Sequence, residues 1–151
     1  MKLSTKIRYG VRAVFDLAYH CSGSTGQVKD IAERQNISPR YLEQIFHKLK
    51  KAGLVKSERG PKGGYTLTKS PSNITIGDIY RATEGSFSLV TCKKQTYQCK
   101  NIEDCVAQPV WDMLSSEIEK IFDSITISKL CEIAEGLKIP REIEKKYMYF
   151  I

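Results

Sequence analysis

Residues 28–68, VKDIAERQNISPRYLEQIFHKLKKAGLVKSERGPKGGYTLT, constrain the fold more than any other stretch of the chain. Ile31 and Ala32 face one way in a short helical segment to about Gln35, and Asn36-Ile37-Ser38 makes a tight turn. Ser38 followed by Pro39 starts a second helix, with Ser as N-cap and Pro at the first helical position, where no N–H is needed. Leu42, Ile45, Phe46 and Leu49 recur at three- and four-residue spacing to about Ala52, and Gly53 stands where a helix commonly ends. This leaves Tyr41, Glu43, Gln44, His47 and Lys48 pointing away from the core. Residues 54–58 and 65–68 read as two strands around Arg59-Gly60-Pro61-Lys62-Gly63-Gly64. Two helices at a tight turn, then a hairpin with a glycine-rich basic tip, form the pattern of a winged helix-turn-helix. Such a unit lays one helix in the major groove of DNA and the hairpin on the flanking backbone.

The charge distribution agrees with that pattern. Of the net charge of +7, residues 1–70 hold 14 Lys/Arg against 5 Asp/Glu, whereas residues 71–151 hold 10 against 12. The positive excess therefore sits on the half that carries the helix-turn-helix, as phosphate binding requires. No apolar run is long enough for a membrane span, and MKLSTKIRYG has no apolar core of a signal peptide, so a cytoplasmic protein without a membrane partner is expected.

Around this reader the chain is mainly helical. Ser4 or Thr5 can cap a first helix to about Cys21, with Ile7, Val11, Val14, Phe15 and Ala18 as its buried stripe. Arg8 and Arg12 lie on another face, either solvated or touching phosphate. A short helix follows over 76–84, closed by Gly85, and then a polar connection over 86–108. Pro109 opens a long helix in which Trp111, Leu114, Ile118, Ile121 and Ile125 are spaced three, four, three, four. That seam suits a partner helix, and a two-fold dimer fits a reader of paired half-sites; packing on the first helix is the other reading. A last helix runs from Thr126 to about Glu135, ended by Gly136. The expected division is a winged helix-turn-helix domain over 1–85, a cysteine loop over 86–108, a dimerisation helix with a short return helix over 109–138, and a tail over 139–151 that shows no clear period.

Five cysteines in a chain without a signal peptide do not suggest a disulfide framework. Cys21 and Cys131 lie among apolar residues on helices and read as core. Cys92, Cys99 and Cys105, spaced C-x6-C-x5-C on the connecting loop, admit three readings: metal or cluster ligands, redox-sensing thiols, or no role. Cys105 stands just ahead of a helix N-terminus, and Lys93, Lys94 and Lys100 add positive charge nearby.

The run RYLEQIFHKLKKAGLV, then RGPKGGY, the three cysteines, the Trp-containing helix and ITISKL resemble the Rrf-type family of bacterial transcription regulators, from the N-terminus to about Leu130. The resemblance implies a winged-helix domain joined to a long dimerisation helix, and a loop holding an iron–sulfur cluster that switches DNA affinity. A 2Fe–2S form is preferred over 4Fe–4S. It makes Ser38, Arg40, Glu43 and Gln44 recognition-helix contacts and Arg59 and Gly60 wing contacts; Lys62 adds charge at the wing tip, and Tyr41 is either a phosphate contact or a packing residue. Glu43 can accept from cytosine N4, Gln44 can pair with adenine or a phosphate, and Arg59 can enter a narrow minor groove. Cys92, Cys99 and Cys105 become the metal ligands. The sequence departs from the family where a fourth ligand is expected. Gln108 stands in place of a His, and Arg8 in place of an acidic residue that serves in some relatives. Gln108 oxygen, Glu103, Asp104, a residue of the other subunit, or an exogenous thiol or water are the remaining choices.

The expected function is a homodimeric regulator of a double-stranded DNA operator, switched by the cluster. The alternative is a cluster-free member of the same family controlled by a protein partner or by thiol redox state. An enzyme is not expected: the chain has no CxxC, no Cys–His pairing near the loop, and no glycine-rich phosphate motif besides the wing.

Overall fold

The computed structural model of the protein describes residues 2–90, 92, 99–100 and 104–142. Lys93, Lys94, Glu103 and the tail beyond Glu142 lie outside the described residues. The elements in chain order are α1 (Thr5–Asp16), α2 (Val28–Gln35), α3 (Pro39–Lys51), β1 (Val55–Glu58), β2 (Gly64–Leu67), α4 (Ile76–Glu84), α5 (Gln108–Ser124) and α6 (Ile127–Gly136). This is a mainly helical winged helix-turn-helix fold with a two-stranded antiparallel wing.

α1 begins under Ser4, whose Oγ accepts from the Ile7 N–H at 3.4 Å. It continues as a wider π-helical turn over Leu17–Cys21, which turns Leu17, Tyr19 and Cys21 into the core. Phe15, expected in the buried stripe, is instead half-buried and stacked on Tyr19 at 5.3 Å between ring centroids. Phe15 lies within the regular part of α1, about 100° around the helix from the fully buried Val14, so it falls on the flank of the buried face.

The turn between α2 and α3 is made by Asn36 in the left-handed region (φ 50), with the Ile37 N–H closing back on the Ala32 carbonyl at 2.9 Å. Ser38 then caps α3, accepting from the Tyr41 N–H, and Leu42, Ile45, Phe46 and Leu49 fill the core. The helix ends as its sequence predicts: the Gly53 and Leu54 N–H groups donate back to the Lys50 and Leu49 carbonyls at 3.0 Å each.

In the wing, Val55 pairs with Leu67 and Glu58 with Gly64. A third backbone joins it: Gly26 and Tyr65 exchange both N–H···O bonds at 2.9 Å. Gly64 lies so close to this crossing that a Cβ would collide with the Gly26 carbonyl. Phe46 of α3 stacks on Tyr65 of β2 at 4.4 Å and 8°, which fixes the wing against α3. The Lys50 ammonium reinforces this, donating to the Ser57 hydroxyl at 2.6 Å.

α4 opens with a reciprocal cap between Thr75 and Asp78. The strand-like stretch before it pairs with the linker after α5: the Ile76 N–H donates to the Ile125 carbonyl, and the Ile127 N–H to the Ile74 carbonyl, each at 2.9 Å. α6 ends at Gly136, as the sequence suggested, and the left-handed reversal follows two residues later at Lys138 (φ 55), where the Ile139 N–H closes on the Ala134 carbonyl. The beginning of the tail then packs on the end of α1. The Tyr19 hydroxyl donates to the Ile139 carbonyl at 2.6 Å, and Arg141 lies over the Tyr19 ring.

Candidate nucleic-acid interface and cysteine cavity

On α3, Ser38, Arg40, Glu43 and Gln44 are exposed on the side away from the core. Ser38 is occupied as the helix cap, so its side chain is held at the helix start. Tyr41 is half-buried, with its ring edge-on to Tyr9 at 5.8 Å. Lys48, expected to point away from the core, turns toward α4 and donates to the Thr83 carbonyl at 2.8 Å. At the wing tip Arg59, Gly60 and Lys62 are exposed. Gly60 adopts φ 118, a conformation closed to other residues, and its carbonyl accepts from the Gly63 N–H. The Thr25 hydroxyl donates to the Lys62 carbonyl at 2.7 Å, tying the tip to the loop before α2.

The two basic residues of α1 separate. Arg8 is exposed, and among the described residues its guanidinium donates to the Thr5 hydroxyl. Arg12 is committed within the fold: it donates to the Gln35 side chain at 3.2 Å and to the Gln35 carbonyl, and lies over the Tyr9 ring. A neighbouring ion pair was not visible in the sequence. Asp16 is fully buried and receives Arg34 through Nε and Nη2 (the latter at 2.6 Å), plus the Gln35 amide at 2.9 Å. It clamps α1 to α2 behind the recognition helix.

Cys92, Cys99 and Cys105 line one small cavity of about 20 Å³ together with Val90, Gln108 and Trp111. All three thiols are half-buried and free of disulfides. Gln108 therefore does sit where a fourth donor would be sought. Trp111 joins it one turn further along α5, a neighbour readable only from the 108/111 helical spacing. Among the described residues no three His, Cys, Asp or Glu side chains stand close enough together to hold a single metal ion as they are placed. Cys21 is buried and Cys131 half-buried, both away from this cavity. Burial, with Asp16 beside it, pushes the Cys21 thiol up to about 11, and burial also raises Cys131.

The segment before the cavity packs on α4 and α5. The Leu89 N–H donates to Ser115 on α5 at 3.2 Å, and Phe87 packs with Phe122 of α5 and Tyr80 of α4 at 5.4 and 4.6 Å. Arg81 of α4 reaches Glu119 at 3.0 Å and Asp123 at 2.7 Å on α5. Along α5 the outward side shows Trp111, Leu114, Ile121 and Ile125, each at least about a third exposed. Helix α5 packs on α4 rather than on α1, so the intramolecular alternative for this seam is not what the fold adopts. No helix among the described residues is long and apolar enough to cross a membrane.

The sequence matches the Rrf2 family, described as iron-dependent transcriptional regulators, over residues 3–146. It is 42% identical over 139 residues to the HTH-type transcriptional regulator IscR of Vibrio atlanticus, covering 92% of this chain and 80% of that protein. The fold is similar to T. potens IscR, with TM-score 0.74, 41% identity and coverage of 99% and 96%. It is also similar to CymR, the global cysteine regulator of B. subtilis, with TM-score 0.73, 36% identity and coverage of 88% and 98%.

Proposed function

This chain belongs to the Rrf2 family of transcriptional regulators, and from that premise we propose that it acts as a homodimer on double-stranded DNA operators, with an iron–sulfur cluster at Cys92, Cys99 and Cys105 setting its affinity. The observation that carries the reading is the convergence of three free thiols and Gln108 on one cavity at the start of α5. The donor chemistry fits a cluster, since thiolates are its natural ligands; the thiols must close further on it, and Gln108 or a group from outside completes the set. When bound, such a cluster, of 2Fe–2S type in this reading, supplies one-electron chemistry and sensitivity to oxidants.

The chain's own residues do the rest. Ser38, Arg40, Glu43 and Gln44 meet the major groove, and Arg59, Gly60 and Lys62 meet the backbone and minor groove beside it. Tyr41 supports α3 from behind by packing on Tyr9. The exposed seam of α5 pairs with its copy, so that two recognition helices are set one operator turn apart. Residues 1–85 form the reader, 86–108 the sensing loop, 109–138 the pairing and return helices, and 139–151 the tail. Rearrangement of the loop pulls on Phe87 and Leu89, which bear on α5; Arg81 carries this to α4, and Lys48 to α3. Two arrangements of that chain of contacts with different DNA affinities make the switch.

The second reading drops the cluster and lets the same thiols respond to redox state, or a protein partner act instead. Gln108 in the fourth-ligand place favours it, as does the likeness to a cysteine regulator. Anaerobic purification with iron and sulfide counts decides between them. Visible absorbance and stoichiometric iron and sulfide, lost in a Cys92, Cys99 and Cys105 to Ala variant, are expected. Colourless protein with neither bound after anaerobic reconstitution contradicts the cluster reading.

A further inference from the structure

We propose that His47 is a base-reading residue of the DNA interface, donating to an acceptor on a base edge in the major groove next to the positions read from Glu43 and Gln44. The proposal rests on the reading of α3 as the groove helix. Each residue turns an α-helix by about 100°, so His47 lies about 20° from Arg40, between Glu43 and Gln44 at about 40° and 60° on either side. The core residues Leu42, Ile45, Phe46 and Leu49 lie about 100–160° away on the same count. His47 is thus at the centre of the outward stripe.

The residue after it is not available for the same task, because Lys48 is held by the Thr83 carbonyl at 2.8 Å. Tyr41 is likewise engaged with Tyr9. His47 is exposed, and among the described residues it makes no hydrogen bond, ion pair or ring contact. An imidazole offers at least one N–H donor in either charge state, matching guanine O6 and N7, adenine N7 or thymine O4. Its site is about 6 Å further along the axis than Glu43, close to a two-base-pair step at roughly 3.4 Å each. A side chain with one short donor at that place reads a base that Glu43 and Gln44 do not reach.

The test uses the full chain and its His47→Ala variant, with equal folded fraction verified by circular dichroism. A duplex is first selected by the unsubstituted protein from a pool with a random core, and then every single base-pair substitution in it is measured by fluorescence anisotropy at fixed salt. Loss of the contact is expected to weaken binding of the selected duplex about 5- to 150-fold, the range of one good base contact. Discrimination should flatten at one base pair, about two steps from the position where Glu43→Ala flattens it, with binding to random duplex and the salt slope unchanged. An unaltered substitution profile in His47→Ala overturns the proposal. So does an equal loss on every duplex with a shallower salt slope, which marks a phosphate contact. If the unsubstituted chain selects no duplex at all, the groove-helix reading itself fails and this proposal with it.

Discussion

Lys48 on α3 donates from Nζ to the Thr83 carbonyl in the last turn of α4 at 2.8 Å, so α3 is bound by its own side chain to the element that carries α5. Lys48→Met keeps the aliphatic stem and removes the donor. It is expected to cost about 0.5–2 kcal/mol, read from urea unfolding, because a buried residue's carbonyl loses its partner. It should also bring the operator affinities of the cluster-loaded and cluster-free protein closer together. An unchanged ratio between them would remove Lys48 from the switch.

The Asp16–Arg34 pair is a separate device, structural rather than sensing. Asp16 is fully buried, and Arg34→Met strands its carboxylate with only the Gln35 amide. Urea unfolding should show a loss of about 3–5 kcal/mol. Replacing both, as Asp16→Leu with Arg34→Met, should recover most of that loss, because no charge is then left buried.

Asp78 sets the acid sensitivity of the α4–α5 joint. Partial burial alone would raise its carboxyl. The Thr75 backbone N–H, the Arg81 guanidinium and the Thr75 hydroxyl together outweigh burial and hold it below the usual carboxylate range. A carboxyl depressed by folding stabilises the fold above its unfolded value of about 3.9, and that contribution disappears as pH falls through the folded value. Asp78→Asn should therefore lose less stability than the parent protein between pH 5 and about pH 2 in urea titrations. Parallel losses would show that Asp78 is uncoupled from folding.

Much of this was legible in residues 28–68, where apolar spacing, Ser38-Pro39 and Gly53 each specify a local geometry that the tertiary structure keeps. What was hidden depends on contacts distant in sequence. Arg12 reads as a surface cation until α2 brings Gln35 to it, and Asp16 gives no sign of burial until Arg34 arrives. The third backbone in the wing comes from Gly26, 39 positions before Tyr65. α6 ends at Gly136 as its sequence suggests, but the left-handed reversal falls on Lys138, a residue type that gives no such signal. The cysteine spacing alone left three readings open, and only the fold brings all three thiols, Gln108 and Trp111 to one cavity.

In the proposed homodimer the apolar seam of α5 carries the pairing. Ile121, more than half exposed, is replaced by Glu in a variant that should sediment near the chain mass of 17.2 kDa, while the parent protein sediments at about twice that. A parent protein that sediments as a single chain at micromolar concentration would contradict the seam as a dimer interface.

The most direct measurement of the central claim is operator affinity for one anaerobic preparation, before and after its cluster is removed by chelation and oxidation, at fixed salt. A change of about 5- to 150-fold is expected, the usual range of coupling between two sites, with no change in the variant lacking Cys92, Cys99 and Cys105. Equal affinity in the loaded and stripped protein would contradict it.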